Sequence, residues 1–373
     1  MASQTNCFDL STYLDFSKIE DEHYLRSKSL YNVNHDGYTL LKYIKSGFTE
    51  QNTAELSMFR SIITHNGDIV GCSPFKALPP IEFSFKSALS GNDEIYSELI
   101  DGTMVNVYHC NGEWQLSTRS VISGKGRFYT NSEMTFRTMF LECMNASSLE
   151  FEDLNTTLSY SFVIQHPENR IVKVIDEPKL YLCAVFHCVG TTISVVDFRK
   201  LKLHEGLVEY PKLISISDND MEDLPYDFVG VNIESDGYRC KFRNKKYEYV
   251  RKLRGNQGKI EYRFLELQKD CQTEEFLTYY PEYNLLFSIL EGNCKSFTKQ
   301  LHMFYIECFI QKVKPICEFP YEFRPHMVRL HCLYREVLRP ENKVVTLAKV
   351  QEYFDKLECQ QQMFVLNYSK YNK

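Results

Sequence analysis

Between Arg239 and Arg263 ten Arg or Lys residues stand against two acids, Glu248 and Glu261, a local balance of +8. Over the whole chain 43 Lys and Arg are outweighed by 49 Asp and Glu, so the net charge is −6 and the remainder sums to −14. Concentrated positive charge in an acidic protein is the pattern of a local phosphate site, and the overall balance excludes a protein that coats nucleic acid with its entire surface. A solvated basic face on a hairpin and helix explains the same count equally well. Within the stretch, Lys241 and Arg243 are two apart in a strand-like run, which puts their side chains on one face. Far upstream, Asp101-Gly102-Thr103 opens a hairpin strand directly after Glu98-Leu99-Ile100. A backbone turn at one place and alternating cations at another can hold phosphates from two sides, although each signal alone is common.

Other chemistry is more weakly signalled. His326 and His331 are five apart, off the spacing that puts two ligands on one helical face, so packing is the favoured role over metal binding. His166, beside a Pro-Glu-Asn-Arg turn, is placed either to support that turn or to contact a phosphate or base. Thirteen Cys are scattered without a C-x-x-C pair, which fits reduced thiols and no structural zinc. Neither a Walker-type phosphate loop nor a Gly-x-Ser-x-Gly elbow occurs.

The elements that must position these residues are mostly strands. Asn66-Gly67, Asn111-Gly112 and Asp236-Gly237 each sit between runs rich in Val, Ile, Tyr and Phe, the signature of tight hairpins. Further strands are expected on both sides of His166-Pro167-Glu168 and of Val189-Gly190, so residues 60 to 250 read as mainly antiparallel sheet. Helical patterns interrupt it at Tyr38–Ser46 and Ser132–Asn145. After Gly255-Asn256 the texture turns helical, with helices expected over Tyr262–Thr278, Leu285–Lys312, Pro325–Leu338 and Thr346–Leu357. The expected organisation is an α+β domain over 1–255 followed by an all-helical domain over 256–373. No stretch is apolar enough for a membrane span and no signal or transit pattern opens the chain, so intracellular, cytoplasmic residence is expected.

The order of several motifs resembles the covalent nucleotidyltransferases, and most closely the T4-type RNA ligases and their relatives in large DNA viruses. Arg60-Ser-Ile-Ile with Ser73-Pro-Phe-Lys76 is similar to the basic residues preceding the family's nucleophile motif. Glu98-Leu-Ile-Asp-Gly-Thr103 aligns with its Lys-x-Asp-Gly, and Trp114-Gln-Leu-Ser-Thr-Arg119 with a segment carrying a phosphate contact. The most specific match is Tyr160-Ser-Phe-Val-Ile-Gln-His-Pro-Glu-Asn-Arg-Ile-Val172. Asp227-Phe-Val-Gly-Val and Arg239-Cys-Lys-Phe-Arg243 fall where the last two motifs belong. The resemblance runs from about residue 55 to 255.

It implies an antiparallel-sheet nucleotidyltransferase domain, ATP-grasp-like in its ligase form. It also implies a nucleotide or phosphate site built from Arg60, Lys76, Glu98, Asp101, Gly102, Arg119, Lys241 and Arg243. The departures are equally specific. Leu99 stands where the family has its nucleophilic lysine, Ser161 and Val229 stand where it has glutamates, and leucine offers no lone pair for attack on phosphorus. The expectation is a non-catalytic member, a pseudoenzyme that binds a nucleotide or an RNA 5′-phosphate end, tRNA included, without forming a lysyl-adenylate. No catalytic residue and no metal ligand is assigned, and ATP with Mg²⁺ is the cofactor the resemblance offers. The alternatives are an active ATP-dependent RNA ligase in which Lys76 or Lys125 swings into the site, and a viral structural or host-interaction module. RNA or a protein partner is expected on the helical domain, and no membrane.

Overall fold

The computed structural model describes residues 6–90, 93–127, 134–201, 203, 207–215 and 224–371. Thirteen strands follow in chain order: β1 Cys7–Asp9, β2 Leu30–His35, β3 Tyr38–Tyr43, β4 Ile62–His65, β5 Asp68–Cys72, β6 Ile95–Glu98, β7 Thr103–Cys110, β8 Glu113–Thr118, β9 Leu158–Gln165, β10 Lys179–Val189, β11 Thr192–Val196, β12 Gly230–Ser235 and β13 Tyr238–Arg243. The helices are α1 Glu22–Ser27, α2 Thr53–Met58, α3 Pro80–Ser90, α4 Phe136–Ala146, α5 Lys245–Arg254, α6 Ile260–Lys269, α7 Thr273–Tyr279, α8 Asn284–Tyr305, α9 Arg324–Leu333, α10 Leu347–Asp355 and α11 Cys359–Tyr371. The chain divides into two compact units, Met1–Lys252 and Leu253–Lys373. The first is α+β with antiparallel sheets and the second is helical.

Three sheets build the first unit, ordered β1-β11-β10-β9-β7-β8, β2-β3-β4-β5 and β13-β12-β6. Alternation along β7 and β9 sends Val105, Val107, Tyr160 and Phe162 to one face of the six-stranded sheet, where Met139, Phe140, Cys143 and Met144 of α4 cover them. Helix α4 starts where the Thr135 side chain accepts a hydrogen bond from the Thr138 N–H. Against the other face lies the four-stranded sheet, with Leu41, Ile62 and Ile69 meeting Ala184, Phe186 and Ile193. A bulge at Leu182/Ala184 lets β10 feed both cores, since Leu182 and Val185 face one and Ala184 and Phe186 the other. The three expected hairpins form, with positive φ at Asn66, Gly67, Asn111, Gly112, Asp236 and Gly237 supplying the turns.

Two expected elements differ. Tyr38–Tyr43 is a strand, not a helix: it lies between β2 and β4, and Leu40 and Leu41 bury in opposite cores, so its apolar residues run on without the alternation of a half-exposed strand. The Asp36-Gly37 turn ahead of it, with φ of 50° and 80°, is the hairpin signal that identifies it. The segment after His166-Pro167-Glu168 is not a strand, because β9 pairs instead with β10 and the Val172 and Lys173 N–H groups bond the Asp101 carboxylate.

In the second unit the expected helix over Tyr262–Thr278 is split at Cys271, whose φ is 55°. Helices α8 and α9 each run on into one π-helical turn, Ile306–Ile310 and Tyr334–Leu338. His326 and His331 serve packing: His326 Nδ1 meets the Tyr353 hydroxyl at 2.7 Å, and His331 stacks on Phe309 at 4.1 Å. Among the described residues no helix is long and apolar enough to cross a membrane.

Candidate phosphate-binding site

The three-stranded sheet of β6, β12 and β13 has two unlike faces. Val231, Ile233 and Cys240 point back against Phe83 of α3 and Leu78 just ahead of it, forming a small apolar core. Alternation then places Arg239, Lys241 and Arg243 together on the front, opposite Glu234, Asn232 and Gly230 of β12. Ser97 lies across from Asn232 on the same face, and the Leu99 N–H extends the ladder by donating to the Gly230 carbonyl at 2.9 Å. Leu99, half-buried, therefore sits on the line of the cations.

A fourth cation arrives from before β4. The Arg60 guanidinium donates to the Pro74 carbonyl at 3.4 Å, and buried Arg239 donates to the same carbonyl at 3.3 Å and to that of Phe75. The segment offering these carbonyls is held by Ser73 N–H on Ser61 O and Lys76 N–H on Ser57 O, so two guanidiniums are drawn to one short stretch of backbone. The consequence falls on Lys241. The charge of Arg239 first, then burial, then Arg60 and Arg243 push its amine well below the ordinary lysine range, and among the described residues its Nζ has no hydrogen-bond or carboxylate partner. For Arg60, burial first and then Arg239 and Arg119 weigh against the charge. A guanidinium keeps its proton in such surroundings, so the cost persists as repulsion that a bound anion would relieve. Glu234 and Glu248 offset part of it, the latter pairing with Arg243.

This repulsion has a measurable consequence. Lys241→Met keeps the chain length and removes the charge, and is expected to stabilise the ligand-free protein by about 1 kcal/mol, roughly 2–4 °C in a thermal melt. Because the folded state disfavours the Lys241 proton, stability of the natural chain rises with pH towards about 10.4, and the variant loses that component of the slope. An unchanged or lower melting temperature would show that Lys241 is not under charge strain.

Arg119 and Lys76 form a more exposed group with two aromatic rings. Arg119 Nη2 donates to the Tyr43 hydroxyl at 2.8 Å, Lys76 Nζ lies 4.4 Å from the Phe48 ring centroid, and Tyr43 and Phe48 meet edge to face at 4.9 Å. Burial first, then Arg119 and Lys45, lower the Lys76 amine, with Glu82 opposing. The charges of Arg119 and Arg60 bear on each other, which links this group to the buried one.

Three expected site residues have structural contacts of their own. The Asp101 carboxylate is buried and accepts from Val172 N–H at 3.1 Å, Lys173 N–H at 2.8 Å and the Tyr247 hydroxyl at 2.7 Å, so its oxygens are engaged in holding the turn. Burial first, then the Asp101 charge, pushes the Tyr247 phenol upward. Gly102, at φ 153°, lets β9 pass close: a Cβ would stand 2.3 Å from the Ile164 carbonyl oxygen. Glu98 pairs with Val231 on the apolar side of the sheet, and its carboxylate accepts from Lys212 N–H at 3.0 Å. His166 is likewise a support, its Nε2 on Glu142 at 2.8 Å and its Nδ1 accepting from Glu168 N–H.

Sequence reasoning passed over Arg239, although the period of two that joined 241 to 243 extends back to it. It also passed over Asn232, Tyr43 and Phe48, which become relevant only through pairing and packing. Arg239 further lines a cavity of about 360 Å³ shared with Cys183, Arg199 and Glu234. Among the described residues no group of three or more His, Cys, Asp or Glu gathers as a metal site. The cations gathered on this face fit an anion.

No protein-family model and no curated protein matches the chain. Among solved structures it is similar to an archaeal ATP-dependent RNA ligase, at 11% identity and a TM-score of 0.41, covering 96% of this chain and 99% of that one. It is also similar to an RNA ligase of Naegleria gruberi solved with PPi, at 14% identity and a TM-score of 0.36, covering 56% of this chain and 69% of that one. Likenesses of this size stand beside the geometry as similarity alone.

Proposed function

We propose that the first unit is an RNA-ligase-like nucleotidyltransferase fold that binds the phosphates of a nucleotide such as ATP, or the 5′-phosphate end of an RNA, without transferring the nucleotide to a lysine. The observation that carries the reading is the front of the β6-β12-β13 sheet, where Arg239, Lys241 and Arg243 are held with Arg60 against their mutual repulsion. Charge-assisted hydrogen bonds to phosphate are the strong class of such bonds and would turn that repulsion into attraction for a ligand. Leu99 supports the second half of the reading, because at the nucleophile position it supplies neither charge nor lone pair. Arg119 and Lys76, with Tyr43 and Phe48 beside them, offer further phosphate and stacking contacts at a more exposed position.

Binding of a 5′-phosphorylated RNA and of its 5′-hydroxyl counterpart, each at two salt concentrations, tests the reading. The phosphorylated strand is expected to bind more tightly and to weaken steeply with salt as counterions are released. Equal affinity for both strands, or indifference to salt, would sink it. A separate labelling test addresses transfer: with α-labelled ATP and Mg²⁺ or Mn²⁺, the natural chain is expected to remain unlabelled through denaturing electrophoresis, whereas Leu99→Lys, adding an amine on the line of the cations, gains label. Label on the natural chain would make it an enzyme.

A further inference from the structure

We propose that Lys241 is an imine-forming nucleophile, whose amine condenses with an aldehyde carried close to a phosphate group while the neighbouring guanidiniums hold that phosphate. This rests on the reading of the front of the β6-β12-β13 sheet as a phosphate site, and adds to it a covalent activity and a class of ligand.

The placement carries the inference. Lys241 is half-buried and so open to a ligand, and Arg239 and Arg243 flank it two residues away on each side of the same strand face. That spacing is roughly 7 Å along the strand. Directly across the ladder, Asn232 is buried, its Nδ2 donates to Glu234 Oε1 at 2.9 Å, and its Oδ1 has no partner. That oxygen can accept an N–H of the Lys241 amine and so aim the nitrogen lone pair. A lysine among other cations gives up its proton more readily, which favours the nucleophilic form that Schiff-base chemistry requires, and the order of causes at Lys241, Arg239 before burial, is of that kind. The groups bearing on it are Arg239, Arg60 and Arg243, which disfavour its proton, and Cys183, which opposes them.

The step balances without any other reactant. The Nζ lone pair forms a bond to the carbonyl carbon as the C=O π pair moves to oxygen, and one nitrogen proton passes to that oxygen to give the carbinolamine. The second nitrogen proton leaves with the hydroxyl as water, and the C=N bond forms. Transfer to phosphorus makes a further demand, the departure of pyrophosphate with its charge neutralised.

The test uses the full chain at pH 7 with pyridoxal 5′-phosphate as probe and borohydride to reduce the imine, followed by peptide mass spectrometry. The expected result is an adduct on Lys241 forming at least about tenfold faster than on the exposed lysines. Pyridoxal, lacking the phosphate, should lose that preference, and Lys241→Arg should lose the adduct, its folding checked by a thermal melt. Pyridoxine 5′-phosphate, an alcohol that cannot form an imine, reports the phosphate site separately. If it binds while Lys241 gains no preferential adduct, the covalent proposal is overturned and the phosphate reading stands. If it does not bind, both fall. An oligonucleotide ending in a 5′-deoxyribose phosphate carries the same aldehyde in its ring-opened form. Its trapping on Lys241 would assign nucleic-acid ends as the source, and trapping of the small probe alone would assign free phosphoaldehydes.

Discussion

Replacing Lys241 and Arg243 together by Ala is expected to weaken binding of a 5′-phosphorylated RNA by about 100-fold or more. Hydrogen bonds to charged groups contribute about 1.5–3 kcal/mol each, so losing two removes at least 3 kcal/mol. The salt dependence should flatten as well, by about 0.7 in the logarithmic slope for each phosphate of a single strand that the variant no longer neutralises. Lys246→Ala is the control, an exposed cation in the same basic stretch but on α5, outside the sheet face. A change of less than about threefold is expected there, since isolated surface charges contribute little. Titrations of the three proteins at matched ionic strength decide the matter. If the double variant binds as tightly as the natural chain, the front of the β6-β12-β13 sheet is not where phosphate sits; if Lys246→Ala loses as much, attraction is diffuse and no local site exists.

Asp101→Ala should act on the fold before it acts on any ligand. Three donors converge on that carboxylate, the N–H groups of Val172 and Lys173 and the hydroxyl of Tyr247, and without it those of Val172 and Tyr247 would be left unpaired in a buried place and that of Lys173 in a part-buried one. Unsatisfied buried groups cost about 1–3 kcal/mol each, and a loss of roughly 3–5 kcal/mol is expected, read as a lower midpoint in urea. Asp101→Asn should recover only part of it, because the amide presents a donor where another donor already points. The alternative, a carboxylate that contacts nucleotide, predicts the reverse pattern of unchanged stability and lost affinity. One denaturation series therefore separates a residue that shapes the turn from one that touches the ligand.

The residues that share a strand are legible in the order of the chain itself. A period of two joins 239, 241 and 243, and the turn pairs Asn66-Gly67, Asn111-Gly112 and Asp236-Gly237 carry their own positive φ, so each hairpin is specified by a handful of adjacent side chains. Leu99 is legible only as a residue type, a side chain with neither charge nor lone pair. Less is legible where a segment is buried on both sides. Tyr38–Tyr43 lacks the strand alternation because Leu40 and Leu41 enter different cores, and no local pattern distinguishes that from a helix.

The site divides along the same line. That cations lie on one face of β13 follows from strand geometry and needs no partner. That Arg60 joins them, that Arg119 and Lys76 stand beside Tyr43 and Phe48, and that Glu98 turns away to the apolar side follow from which strands pair and which carbonyls are left for a guanidinium to reach. Asp101 shows the difference most directly. Its place before a glycine suggests a ligand contact, but the two amides that claim its carboxylate come from 71 and 72 residues downstream and the phenol from 146. A turn dipeptide is decided by the torsional preferences of its own residues, whereas the charge a side chain feels is a sum over everything folding brings near it, and that sum has no representation in local order along the chain.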